Sequence, residues 1–212
     1  RFTKKYKELE EVSLNYLKLV EQSLGVNNNN YAIACIDLGE VYGDMKNGEK
    51  SVEYRLLAID CYKKMEQTEE IQKRLSTSYH NISHIYRNLL FDSKNAILYA
   101  ERALEIKNTK EKGYGKSLFS LGMAYAMDRK FKKATDLFYK ALPYFSESSN
   151  KEIYQKTVVE MNLGIVMNEF DENSAYEILK KANRIFETDN IKIYISNAVK
   201  NRIEIAKKIL NK

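Results

Sequence analysis

The chain has 212 residues, of which 44% are hydrophobic and 30% charged, and its formal net charge is +6. That composition can bury a core, and acids and bases are interspersed along it, which argues against a disordered tail and against a dense nucleic-acid footprint. With one Pro, Pro143, and eight Gly in this length, long helices joined by short turns are expected.

The chain opens on Arg1 rather than methionine. It is therefore expected to be a fragment or processed piece, and the sequence does not tell whether a further domain precedes it. Residues 2–24 carry Leu9, Val12, Tyr16, Leu19 and Val20 at helical spacing. They read either as the second helix of a truncated repeat or as a linker helix, so 1–29 forms a segment of its own. Gly25 and the run Asn27-Asn28-Asn29-Asn30 mark a turn. Four helix pairs are then expected, at 30–45 with 49–66, 69–90 with 93–107, 111–128 with 131–146, and 150–168 with 172–187. Thr68, Asn150 and Asp171 are the expected N-caps, with Glu69, Glu152 and Glu172 placing favourable charge in the first turns. Pro143 should kink or end its helix. Residues 191–210, with Ile195, Ala198, Val199, Ile203, Ala206 and Ile209 on one face, read as a C-terminal capping helix. Cys35 and Cys61 fall on packed faces and read as buried reduced thiols, as in a cytoplasmic protein. No apolar run approaches membrane-spanning length, and nothing resembles a secretory signal.

The helix pairs share a pattern. A large apolar residue and a small one are followed by an aromatic residue or Met, then a small residue, then an alanine. The copies are Leu38-Gly39, Tyr42, Ser51, Ala58; Ile82-Ser83, Tyr86, Ala96, Ala103; Leu121-Gly122, Tyr125, Ala134, Ala141; and Leu163-Gly164, Met167, Ala175, Ala182. From Leu38 to Ile82, Leu121 and Leu163 the steps are 44, 39 and 42 residues. A unit of this size holds two helices and cannot bury its apolar faces alone, so neighbouring units must stack. The small residues lie where two backbones must approach closely, and a larger side chain there would overpack.

These residues resemble the tetratricopeptide repeat (TPR). Residues 38–59 match its spacing without a gap, and 121–142, with Phe131, Ala134, Phe138 and Ala141, are the closest copy in residue type. The copy at 82–104 carries one extra residue in its turn, and that at 163–183 lacks one. The resemblance covers 30–187 and implies an all-α, right-handed TPR superhelix (α-solenoid) of about ten helices, forming one domain over 1–212. Steps longer than the family's ~34 residues imply extended helices.

Chemistry finds little footing. His80 and His84 lie one turn apart, but no HExxH pattern or third ligand accompanies them, and Gly-rich phosphate loops, CxxC pairs and nucleophile elbows are absent from the sequence. No enzyme, cofactor or metal is expected. In the TPR arrangement the first helix of each pair lines the concave face. Asp37, Glu40 and Asp44 then face inward from the first pair, and Asn81, His84, Arg87 and Asn88 from the second. Phe119, Ser120, Met123 and Met127 do so from the third, and Met161, Asn162 and Asn168 from the fourth. Asn can pair with the backbone of an extended peptide whatever its side chains. Arg87 can take a carboxylate, and Phe119 with Met123 can form an adaptable apolar pocket. Asn81, His84, Arg87, Asn88, Phe119, Met123, Asn162 and Asn168 are the expected peptide-binding residues.

The long repeats, the Asn-bearing first helices and the terminal helix resemble the peptide-binding domains of Gram-positive quorum-sensing regulators of the Rap, NprR and PlcR type. That resemblance implies a short peptide in the concave groove and an N-terminal effector or DNA-binding domain that responds. A protein–protein adaptor holding a folded partner is the alternative, and self-association as a homodimer fits either. The carboxylate clamp of TPR cochaperones is not expected. Asn81 and Lys116 match two of its positions, whereas Ile36, Glu40 and Ser120 do not, and the acids of the first repeat should repel an acidic tail.

Overall fold

Short polar side chains set where the helices begin. In the computed structural model, which describes residues 2–107 and 113–211, Asn28, Asn47, Thr68, Asp92, Ser149, Asp171 and Ser196 each accept a hydrogen bond from the backbone N–H three residues on. Each pairs one of the donors that a helix start leaves open, a contribution of about 1 kcal/mol. Thr68 and Asp171 cap as expected. Asn150 does not: Ser149 provides the cap, and Asn150 is the first helical residue.

The helices so delimited are α1 (Phe2–Leu24), α2 (Asn29–Asp44), α3 (Gly48–Lys64), α4 (Glu69–Ile85), α5 (Ser93–Ile106), α6 (Tyr114–Met127), α7 (Phe131–Ala141), α8 (Asn150–Met167), α9 (Glu172–Phe186), α10 (Asp189–Lys192) and α11 (Asn197–Leu210). No strand occurs among the described residues. The expected helix start at 111 lies outside them. The expected helix 191–210 is divided: α10 ends at Lys192, and α11 begins after the Ser196 cap. At Pro143 the α-helix has already given way to a 3-10 turn, Leu142–Tyr144.

Three of the tight turns between paired helices use a left-handed residue. These are Lys46 (φ 62), Phe91 (φ 53) and Arg129 (φ 57). Each turn is closed by a backbone bond from the residue after it, from Asn47 to Tyr42, Asp92 to Tyr86 and Lys130 to Tyr125, all at 2.9 Å. This is the Schellman way of ending a helix. The second of these bonds spans one residue more than the others. The extra residue expected in that turn is taken up inside the helix, as a π-helical turn over Tyr86–Leu90 that continues α4.

The chain divides into two compact units, Arg1–Asn108 and Thr109–Lys212. In the first unit α2 pairs with α3 and α4 with α5, and α1 packs on α2. Its core includes Leu17, Val20, Leu38, Tyr42, Ile59, Tyr62, Leu75, Tyr79 and Ile82. Of the five residues expected on the apolar face of α1, Val20 is buried, together with Leu17, whereas Leu9, Val12, Tyr16 and Leu19 are exposed. Glu10 of α1 accepts from the Tyr42 hydroxyl at 2.7 Å, which ties the helix to α2. In the second unit α6 pairs with α7 and α8 with α9, and α11 packs on α8 and α9. Phe138, Leu163, Leu179 and Met161 are fully buried there. Cys35 and Cys61 are buried and free.

Close backbone approach is achieved by the small residues of the repeat. A Cβ on Gly122 would lie 2.6 Å from the Phe138 ring, and one on Gly164 2.7 Å from the Leu179 side chain. In the second pair the small residue is Ser83, whose hydroxyl donates to the Ala96 carbonyl at 2.6 Å across the two helices.

Candidate functional site

The inward faces of α2 and α4 border a cavity of about 430 Å³ lined by residues of α2, α3, α4 and the π turn. Asn81, His84 and Asn88 lie on its wall together with Glu40, Asp44, Lys46 and Arg55. Asn81 and His84, three residues apart, share one face of α4, and Asn88 joins them from the π turn that continues the helix. Asn88 donates to the His84 carbonyl at 2.9 Å, one turn back, which fixes its amide at the rim. Arg87, half-buried on the π turn, is close enough to act on the His84 imidazole. That imidazole is held below the ordinary histidine value, first by burial of the ring and then by the Arg87 and Arg55 guanidinium groups.

Arg55 is a residue of this wall that the repeat pattern did not single out. It sits on α3, is 6% exposed, and presses its side chain against Gly39, where a Cβ would meet it at 2.9 Å. Its Nη2 lies 3.8 Å from a Glu40 oxygen, while Nε and Nη1 have no hydrogen-bond partner. Burial lowers its pKa, and the charge of Glu40 opposes that shift. The available signal was the repeat itself. The positions equivalent to Arg55 carry Ala100, Phe138 and Leu179, none more than 2% exposed, so a charged residue there breaks the pattern.

The second unit places its expected residues differently. Asn162 is 1% exposed. Its amide donates to the Val158 carbonyl at 2.6 Å, and its oxygen accepts from Arg202 of α11. It therefore fastens the terminal helix to α8 and is closed to a ligand. Met161 and Ser120 are buried as well. Met123 packs in the core with Phe138, Val159 and Leu163, so it does not form a pocket with Phe119. The half-buried Phe119 instead lines a notch of about 180 Å³ with Lys116, Phe145, Tyr154, Gln155, Val158 and Val159, its ring tilted on Phe138 at 5.5 Å. Asn168 is the half-buried C-cap of α8. The structure thus brings Asn81, His84 and Asn88 together on one wall, and it withdraws Asn162 and Met123 into packing.

Among the described residues, no group of three or more His, Cys, Asp or Glu side chains is placed to hold a metal ion, and no helix is long and apolar enough to cross a membrane.

No family model and no curated protein matches the chain in sequence. Solved structures do match in fold. The chain is similar to a protein of Podosopora anserina, assigned as a kinesin light chain with nearly identical TPR-like repeats. The TM-score is 0.72 at 14% identity, over 87% of this chain and 88% of that one. It is also similar to the apo form of RapI, with a TM-score of 0.71 at 19% identity over 98% of this chain and 83% of that one. A third match is aspartyl phosphate phosphatase F from Bacillus subtilis, with a TM-score of 0.66 at 17% identity. It covers 98% of this chain and 58% of that one. The fold is that of the TPR-like repeat proteins, and the expected likeness in fold to Rap-type proteins is found. Identities this low carry the fold and not the activity.

Proposed function

We propose that the chain is a non-catalytic binding module that holds a short extended peptide on the α2/α4 face of its first unit. The observation that carries the reading is the shared wall of Asn81, His84 and Asn88. Asn81 and Asn88 are seven residues apart, about 10 Å along a helix. An extended strand covers that distance in about three residues. Each amide offers a donor and an acceptor, so the pair can read the backbone of a peptide at two points while its side chains vary. The fold likeness to RapI supports placing the chain as the sensor part of a bacterial quorum-sensing or transcription regulator in the cytoplasm. Such a module acts on its output only through different peptide affinity in two states.

A protein–protein adaptor is the second reading. The exposed stripe of Leu9, Val12, Tyr16 and Leu19 on α1 favours it, because an apolar helix face of this kind suits a folded partner or a second copy. Calorimetric titration of the chain with a pool of short peptides separates the two. Under the peptide reading, binding is saturable, and Asn81→Ala with Asn88→Ala weakens it about tenfold or more at unchanged melting temperature. Absence of any peptide binding, with a folded protein captured through α1, would replace it with the adaptor reading.

A further inference from the structure

We infer that Arg55 is the anion-reading residue of the α2/α4 cavity and takes a carboxylate of the bound peptide, either its chain terminus or an Asp or Glu side chain. The inference rests on the peptide reading of that cavity.

Three features of the structure converge on it. Arg55 occupies a core position of the repeat that is filled by an apolar side chain in the third and fourth copies, Phe138 and Leu179. Burying a guanidinium where a hydrocarbon would fit is unfavourable unless its donors are met. They are not met within the chain: Nε and Nη1 have no partner, and Nη2 has only the Glu40 contact at 3.8 Å, which is an ion pair too long for a hydrogen bond. Finally, the side chain lines the cavity that also holds Asn81, His84 and Asn88.

The planar fork of a guanidinium presents two parallel N–H donors at the spacing of a carboxylate. The other charged groups on the wall are Glu40, Asp44 and Lys46, with the titratable His84 beside them and Arg87 near His84. Glu40 is Arg55's own counter-ion. Its side chain is 62% exposed, so it can yield its place to an incoming carboxylate at little cost. The acids of the first repeat therefore do not bar an anionic ligand, as the sequence alone suggested. Glu40 is paired with a cation that the count of inward-facing residues left out. The site also differs from the cochaperone clamp in placing its cation on the second helix of the pair, with the alkyl stem packed against Gly39.

The test uses the full chain, immobilised, with three pools of random pentapeptides. One pool has free C-termini and no Asp or Glu, one has amidated C-termini with Asp and Glu, and one is amidated and free of acids. The wild-type chain should retain one or both acid-bearing pools about ten- to hundredfold over the third. Arg55→Met should lose that preference, and Arg55→Lys should keep part of it. Which of the first two pools is retained tells the terminus from the side chain. Equal retention of all three pools by the wild type, or an unchanged preference in a folded Arg55→Met variant, would overturn the inference while leaving the peptide reading standing. In parallel, glutarate is titrated into the ¹⁵N-labelled wild type, and the Arg55 Nε–H resonance is followed. A saturable shift with no pool retained would keep the anion site and sink the peptide reading. No shift and no retention would remove both.

Discussion

The two units are built from the same repeat and spend their interiors differently. In the second unit the sites of close approach are filled by hydrocarbon, Phe138 beside Gly122 and Leu179 beside Gly164. In the first unit the corresponding sites hold Arg55 in the first copy and Ala100, 2% exposed, in the second. Arg55 lies beside Gly39, and serine hydroxyls bond to carbonyls of the paired helix, Ser83 to Ala96 and Ser76 to Ala103 at 2.8 Å. The expected inward-facing residues follow the same division. In the first unit Asn81, His84 and Asn88 line a cavity, whereas in the second Asn162, Met161 and Met123 are packed away. A repeat fixes the backbone, and the residues placed on it decide whether a given copy packs shut or stays open to a ligand.

The largest test of this contrast exchanges the two equivalent core residues. Phe138→Ala should cost about 3–5 kcal/mol in urea unfolding, the loss of a fully buried aromatic side chain. Arg55→Met should be neutral or stabilising, because a buried charge is replaced by hydrocarbon of similar volume. Equal losses at both positions would mean that Arg55 serves the core as Phe138 does. Next in size, Asn162→Ala should cost about 2–3 kcal/mol, since it leaves the Arg202 guanidinium without its acceptor. Asn88→Ala should stay within about 0.5 kcal/mol in the same assay. Comparable losses would place both asparagines in structural roles.

A smaller effect is expected at a turn. Phe91 is 75% exposed and left-handed, so Phe91→Gly should raise stability by about 1 kcal/mol by removing the Cβ clash at little loss of burial. A drop in the urea midpoint would show that the ring holds the turn.

The smallest effect is that of pH. The His84 pKa lies below its ordinary 6.5 in the folded chain. As pH falls through 6.5, the unfolded chain takes up the proton first, and stability declines until the folded value is passed. His84→Gln should remove that component, seen as a smaller drop in Tm between pH 7.5 and 5.5. His84 keeps part of its surface exposed, so the ring is only partly desolvated and the difference stays small. An identical drop in the variant would assign the pH response to other groups.

The fold was legible because its signal is redundant. Four copies each place a large residue and, four places on, an aromatic residue or Met on one helix face with a small residue beside them, and Thr68 and Asp171 cap helices as expected. The site was legible only in part. Counting along a first helix tells which residues leave the shared face. It does not tell whether another element covers them. Asn162 has the same periodic standing as Asn81, yet α11 arrives over it and Arg202 takes its oxygen. Met123 is likewise covered by Phe138 and Val159. On α1, both Leu9-Val12-Tyr16-Leu19 and Leu17-Val20 obey helical spacing, and only packing against α2 selects the second. Arg55 was missed because arginine on a second helix reads as surface until its equivalence to Phe138 and Leu179 is drawn.

The π turn at Tyr86–Leu90 bears on how this copy is aligned with the others. One residue inserted in a helix turns everything after it by about 100°. Arg87, Asn88 and Leu89 lie within that turn, so their directions do not follow from a gapless alignment with the other copies. Two of them, Asn88 and Leu89, reach the cavity wall. Removing a single residue from this turn would restore a plain helix, leave the hairpin intact, and swing those side chains off the wall. A one-codon change in gene length would thus suffice to rewrite the rim while sparing the scaffold.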